Sequence, residues 1–182
     1  MKPTLLVVDV QNDYFPGGKM KLFEMNTAAS NVASLLSHFR INQFPVVFIQ
    51  HIATKTNATF FLPKTAGAEI HESARPTDSE PVFVKHYPNS FRETGLNEYL
   101  QKENLRDLVI CGAMSHMCID TTTRAAFDLG YSCTVIADAC ATRDLTYNNE
   151  KVDATQVQLS FMAALNGTFA KVISTEEYLE VI

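Results

Sequence analysis

The chain has 182 residues, of which 46% are hydrophobic and 19% charged, and its 15 basic and 20 acidic residues give a net charge of −5. That size and balance are enough for one domain with a sizeable core, taken here as residues 1–182. They argue against nucleic acid or an anionic membrane as the main partner, because no basic run or interleaved basic–aromatic stretch is present. No apolar run approaches the roughly 20 residues that span a bilayer. The segment 1–9 reaches Asp9 without a small-residue cleavage site, so the expected compartment is the cytoplasm.

In chain order, the first apolar run is Leu5–Val10, read as a strand. Asn26 is a plausible helix cap, and Val32, Leu35, Leu36 and Phe39 follow at helical spacing. A second strand is expected at Val46–His51. Ile52–Glu80 has weak periodicity, and loops this long often form lids or sites. Its Phe60-Phe61-Leu62 either anchors the loop to the core or forms a contact surface.

Pro81–Lys85 reads as a third strand, and Leu96, Tyr99 and Leu100 mark a helix ending near Asn104. Leu108–Gly112 reads as a strand, followed by a helix from about Cys118 to Leu129 that Gly130 stops. Cys133–Ala137 and Ala170–Ile173 are further strands, separated by a helix over Asn149–Leu165. Ser174-Thr175-Glu176-Glu177 is a capping box that opens a last helix. Most strand runs are continuously apolar, which indicates burial on both faces of a parallel sheet. Strands alternating with helices give an α/β fold with right-handed crossovers.

Ligands of open α/β sheets bind beyond the carboxyl ends of the strands. Asp9, His51 and Lys85 fall at three such ends, and Cys118 follows the fourth. Cys111, Cys118, Cys133 and Cys140 include no C-x-x-C pair, and by residue type alone a free cysteine is usually core. Cys118 stands apart because a helix N-terminus and a nearby cation would lower its pKa. Asp9 is placed to take and return the thiol proton, Lys85 to supply the cation, and the turn before Cys118 to offer N–H groups to an oxyanion.

Ser115 lacks the flanking glycines of a nucleophile elbow, since Ala113 and Met117 stand there. His38, His51, His71, His86 and His116 are scattered without metal-ligand spacing. Of these, His51 and His116 are candidates to line a pocket.

Several segments together resemble the isochorismatase-like cysteine hydrolases, a family that includes nicotinamidases and N-carbamoylsarcosine amidohydrolase. They are Leu6–Phe15, Gly67–His71, Val82–Lys85 with Ser90-Phe91, Gly112–Thr122 with Arg124–Ala126 and Asp128–Tyr131, and Asp138–Thr142. The resemblance implies a three-layer α/β/α sandwich with a six-stranded, mostly parallel sheet. It also implies a catalytic triad of Asp9, Lys85 and Cys118, a cis peptide at Ala113–Met114, and an oxyanion hole from the Met114 and Cys118 amides.

Phe15, His51, Phe91 and His116 become the candidate substrate-binding residues. The nicotinamidase metal motif is absent, because Ile49 stands at its aspartate and only His51 remains of its histidines. No metal and no cofactor are therefore expected. The implied reaction is C–N cleavage of a small amide, carbamoyl or imide substrate through a thioester. Vinyl ether hydrolysis with Asp9 as the acid, or a non-catalytic binding module, are the alternatives. The family also implies a homo-oligomer, dimer or tetramer.

Overall fold

The computed structural model describes residues 2–181 of the chain. Its main sheet contains β1 (Thr4–Val8), β2 (Val46–His51), β3 (Val82–Lys85), β4 (Asp107–Ala113), β5 (Ser132–Ala141) and β8 (Lys171–Ile173). These strands lie in the order β3-β2-β1-β4-β5-β8, and every neighbouring pair is parallel. A separate hairpin joins β6 (Leu145–Tyr147) to β7 (Glu150–Val152). No helix among the described residues is long and apolar enough to cross a membrane.

Side-chain alternation along each strand divides the core in two. Leu5 and Val7 of β1 join a cluster with α1 (Met25–Ile41) and α5 (Thr175–Val181), through Val32, Leu35, Phe39 and Tyr178. Leu6 and Val8 join the opposite cluster with α2 (Leu96–Lys102), α3 (Asp120–Asp128) and α4 (Ala154–Leu165), through Leu100, Ala126 and Leu165. The fold is thus a three-layer α/β/α sandwich. Burial on both faces accounts for the continuously apolar strands.

Some boundaries differ from the sequence reading. Helix α1 opens at Met25 after Glu24, which has φ 51 and makes no side-chain cap, so Asn26 is not the cap. The expected helix over Asn149–Leu165 begins only at Ala154. Before it, Asn148 and Asn149 take positive φ (49 and 64) and turn the β6–β7 hairpin, a conformation asparagine tolerates well. Helix α4 is capped from a distance, its Ala154 N–H donating to Asp144 Oδ1 at 2.8 Å. The capping box opening α5 is present in both directions: Ser174 N–H donates to Glu177 and Glu177 N–H to Ser174 Oγ.

Strand β1 is flanked by β2 on one side and β4 on the other, and the crossovers leave it in opposite directions. Such a switch point opens a crevice at the carboxyl ends of the strands. Gly112 lets β4 approach β1 there. It has φ +119, and a Cβ on it would lie 1.9 Å from the Val8 carbonyl oxygen. Gly112→Ala is therefore expected to cost about 3 kcal/mol or more, from strain and overpacking together. Thermal unfolding should show a fall in Tm of at least roughly 6 °C.

Candidate active site

Asp9 follows β1, and its own φ of 52 aims the carboxylate into the crevice instead of along the strand. His51 and Lys85 are register partners at the ends of β2 and β3. Asp9 and Lys85 have fully buried side chains. After β4 the Ala113–Met114 peptide is cis, and Ser115–Ile119 forms a π-helical turn before α3. Cys118 is inside that turn, two residues before the first residue of the regular helix, Asp120, instead of at its opening.

Lys85 Nζ is the centre of the cluster. It lies 2.7 Å from Asp9 Oδ2, 3.0 Å from His51 Nδ1 and 3.1 Å from Cys118 Sγ. An ammonium has three N–H donors, and three acceptors surround this one. Burial alone would lower the Lys85 pKa, but Asp9 and Cys118 outweigh it and the pKa is raised, so the lysine stays charged. His51 is held neutral, its pKa lowered to about 4 chiefly by burial. Since its Nδ1 accepts from Lys85, its proton is on Nε2.

Cys118 departs from the expectation of a lowered pKa. Burial first, then the Asp9 carboxylate, push the thiol up to about 12, with Lys85 opposing. The resting sulfur is therefore protonated. Asp9 Oδ1 is sealed from solvent with no hydrogen-bond partner among the described residues. It is a vacant acceptor beside a protonated thiol, which is the arrangement a general base needs. The Met114 N–H, at the start of the turn that carries Cys118, has no protein acceptor among the described residues.

Asp9, His51 and Cys118 offer donor atoms within 4.8 Å of one another, a spacing that a metal ion could bridge. The Lys85 ammonium, however, already contacts all three residues. A second cation at that point would meet a fixed positive charge at contact distance, so these residues do not fit a metal.

The other expected site residues have different surroundings. His116 is on the π turn, where its Nδ1 lies 2.6 Å from Thr142 Oγ1 and its pKa falls to about 4 through burial and then Arg143. Phe15 is buried and stacks on His71, with centroids 3.6 Å apart. Phe91 stacks on Tyr131, packs against the α2/α3/α4 core cluster and lines a cavity with Asn89, Arg92 and Asn97. Ser115 is buried, with Oγ 2.6 Å from Gln158 Oε1, which makes it a tie between the turn and α4.

Sequence reasoning missed the residues that hold the crevice in shape. Gln11 clamps the end of β2: its Oε1 accepts from His51 N–H at 2.7 Å and its Nε2 donates to the His51 carbonyl at 2.9 Å. Buried Asp13 accepts from the Phe61 N–H at 2.7 Å and the Lys19 N–H at 3.1 Å. Gly67 allows that carboxylate in, since a Cβ there would meet Asp13 Oδ1 at 2.2 Å. Phe61 is buried against Tyr14, with ring centroids 4.6 Å apart, so Phe61 anchors the long loop to the core. Buried Tyr14 has its pKa raised well above the usual value by burial, then by Cys118 and Asp9, which places its phenol in the field of those two groups.

The two lowered histidines set a pH dependence. The unfolded chain binds protons at His51 and His116 below pH 6.5, whereas the folded chain takes them up only near pH 4. Their contribution to stability is therefore present above pH 6.5 and is lost as the pH falls towards 4. Denaturant titrations at pH 7.5, 5.5 and 4.5 should show progressively lower stability, and His51→Gln should flatten that slope.

An isochorismatase domain profile matches residues 3–177. The chain is 54% identical to the isochorismatase family protein YddQ of Bacillus subtilis, over 99% of this chain and all of that one. It is 31% identical to a streptothricin hydrolase of Streptomyces noursei, over 88% of this chain and 57% of that one. A solved structure assigned to the isochorismatase hydrolases, from Oleispira antarctica, superposes with a TM-score of 0.94 at 47% identity. That match covers 98% of this chain and 96% of the other. Together with the sheet order and the crevice, these matches establish that the chain belongs to the isochorismatase family and is a hydrolase.

Proposed function

We propose that the chain hydrolyses a C–N bond of a small amide, carbamoyl or imide compound through an acyl-enzyme on Cys118. The observation that carries this reading is the single ammonium of Lys85 in contact with Asp9, His51 and Cys118. The relative named for streptothricin hydrolysis supports a hydrolytic role for this site.

In the proposed reaction Cys118 Sγ attacks the substrate carbonyl as its proton passes to Asp9. The oxyanion is held by the Met114 and Cys118 amides. Collapse of the tetrahedral intermediate breaks the C–N bond, and Asp9 returns the proton to the departing nitrogen. Water, deprotonated by Asp9, then attacks the thioester, the C–S bond breaks, Asp9 returns that proton to the Cys118 sulfur, and the carboxylic or carbamic acid product leaves. Lys85 orients Asp9 through their 2.7 Å ion pair and offsets the negative charge that develops on sulfur. Vinyl ether cleavage would need Asp9 as an acid but no thiol. The position of Cys118 against both Asp9 and Lys85 favours the covalent route.

Release of ammonia from a panel of small amides provides the test. Cys118→Ala and Asp9→Asn should each lower kcat/KM by about 10³-fold or more, and either variant retaining wild-type turnover would refute the mechanism. Lys85→Met should also abolish activity, and it should cost about 3–5 kcal/mol of stability because Asp9 is left buried without its counter-charge. Dialysis against a chelator should leave wild-type kcat/KM unchanged, because the lysine supplies the positive charge.

A further inference from the structure

Helix α4 carries no triad residue, yet it holds the first residue of the turn that carries Cys118. Ser115 follows Met114 and is buried, and its hydroxyl has one proton to give. The nearer acceptor is Gln158 Oε1 on α4 at 2.6 Å, and the Ala141 carbonyl lies at 3.2 Å. The other edge of the same amide faces β5: Gln158 Nε2 donates to the Ala137 carbonyl at 2.8 Å and reaches the Cys140 carbonyl at 3.5 Å. A flipped amide would set its oxygen against both carbonyls, so the side chain has one workable orientation.

Those carbonyls belong to the irregular part of β5. Its register with β4 shifts between Ile110↔Val135 and Gly112↔Cys140, and its pairing with β8 ends at Ile136↔Ile173. Ala137 therefore has no strand partner on either side among the described residues, and Gln158 supplies the missing donor. Pairing with β4 resumes at Ala113↔Ala141, immediately before Met114. Gln158 is half-buried and borders a cavity of about 370 Å³ with Phe23, Ala28, Thr142, Leu159 and Met162. With space beside it, the amide is held by its hydrogen bonds and not by close packing.

We propose that Gln158 is a positioning residue for the oxyanion hole: through Ser115 it fixes where the Met114 amide points, and it acts on the transition state without touching the substrate. This rests on the acyl-enzyme reading above. The Met114 carbonyl already accepts from the Met117 and Ile119 N–H groups at 3.0 and 3.2 Å, while its N–H has no protein acceptor among the described residues. The ties of Ser115 to α4 and of His116 to Thr142 thus brace a turn whose one unmatched amide is the proposed oxyanion donor.

The first test is kinetic, with the full chain and the small-amide panel. Gln158→Leu keeps the bulk of the side chain and removes both edges of the amide, whereas Ser115→Ala removes only the link and leaves the Gln158 bonds to β5. Each should lower kcat by roughly 10- to 100-fold, the cost of a misplaced oxyanion donor, with KM held within about twofold. The double variant should be no worse than the poorer single one, because both cut the same connection. If Gln158→Leu does not fold, Ser115→Ala decides. Cys118-dependent hydrolysis with kcat unchanged in the folded variants would overturn the proposal and leave the amidohydrolase reading intact.

The second test needs no turnover. Propionaldehyde or butyraldehyde adds to Cys118 as a thiohemiacetal: the S–C bond forms, the C=O π bond opens, and the thiol proton ends on the new hydroxyl oxygen, which occupies the oxyanion position. Iodoacetamide alkylates the same sulfur with loss of iodide and makes no oxyanion. Aldehyde should therefore protect wild-type Cys118 from iodoacetamide, read by mass spectrometry of its peptide. Gln158→Leu and Ser115→Ala should need about tenfold more aldehyde for half-protection, while their alkylation rates without aldehyde stay at the wild-type value. Equal protection in wild type and variants would overturn the proposal alone. Absence of protection in wild type would overturn it together with the acyl-enzyme reading.

Discussion

The site depends on one buried ammonium. Lys85 has no access to solvent, and its three donors are matched by a carboxylate, an imidazole nitrogen and a sulfur. A lone lysine in that position would lose its proton to escape the desolvation cost. Asp9 prevents this, and the pair then fixes the state of everything around it. His51 is neutral with its proton on Nε2, Asp9 is the one carboxylate in contact with the ammonium among the described residues, and Cys118 is a protonated thiol. The same contacts leave no place for a metal ion among these residues, because the lysine already occupies the point where their donor atoms converge.

The fold makes this cluster possible through parallel pairing. His51 and Lys85 are neighbours in register, and Asp9 is held by its N–H to the Ile49 carbonyl at 3.0 Å. Gly112 brings β4 against β1, and the chain then turns through Met114 into the π-helical segment. The polar residues that follow Asp9 work on the walls of the crevice. Gln11 grips both the N–H and the carbonyl of His51, Asn12 Nδ2 donates to the Ala66 carbonyl at 2.7 Å, and Asp13 accepts from the loop at Phe61. One short segment thus supplies the proposed base, a grip on the end of β2 and two ties to the long loop.

Much of this was legible in the sequence. Continuously apolar strands gave the two-sided sheet, and strand ends gave Asp9, His51 and Lys85. What the sequence hid were effects of burial and of distant partners. The direction of the Cys118 pKa was misread, because a helix N-terminus is visible in a sequence and the desolvation around a sulfur is not. The start of α4 was misplaced because its cap, Asp144, comes from across the hairpin and not from the preceding residues. Tyr14 was overlooked for the same reason: its surroundings, burial and the nearby Cys118 and Asp9, are revealed only by a folded chain.

The central claim is that Cys118 rests as a protonated thiol beside a charged Lys85. The rate of Cys118 alkylation by iodoacetamide as a function of pH, with the modified peptide quantified by mass spectrometry, tests it most directly. The account predicts a rate that keeps climbing through pH 10, in keeping with a thiol pushed up to about 12. A rate that levels off below pH 8 would reveal a preformed thiolate and contradict the account.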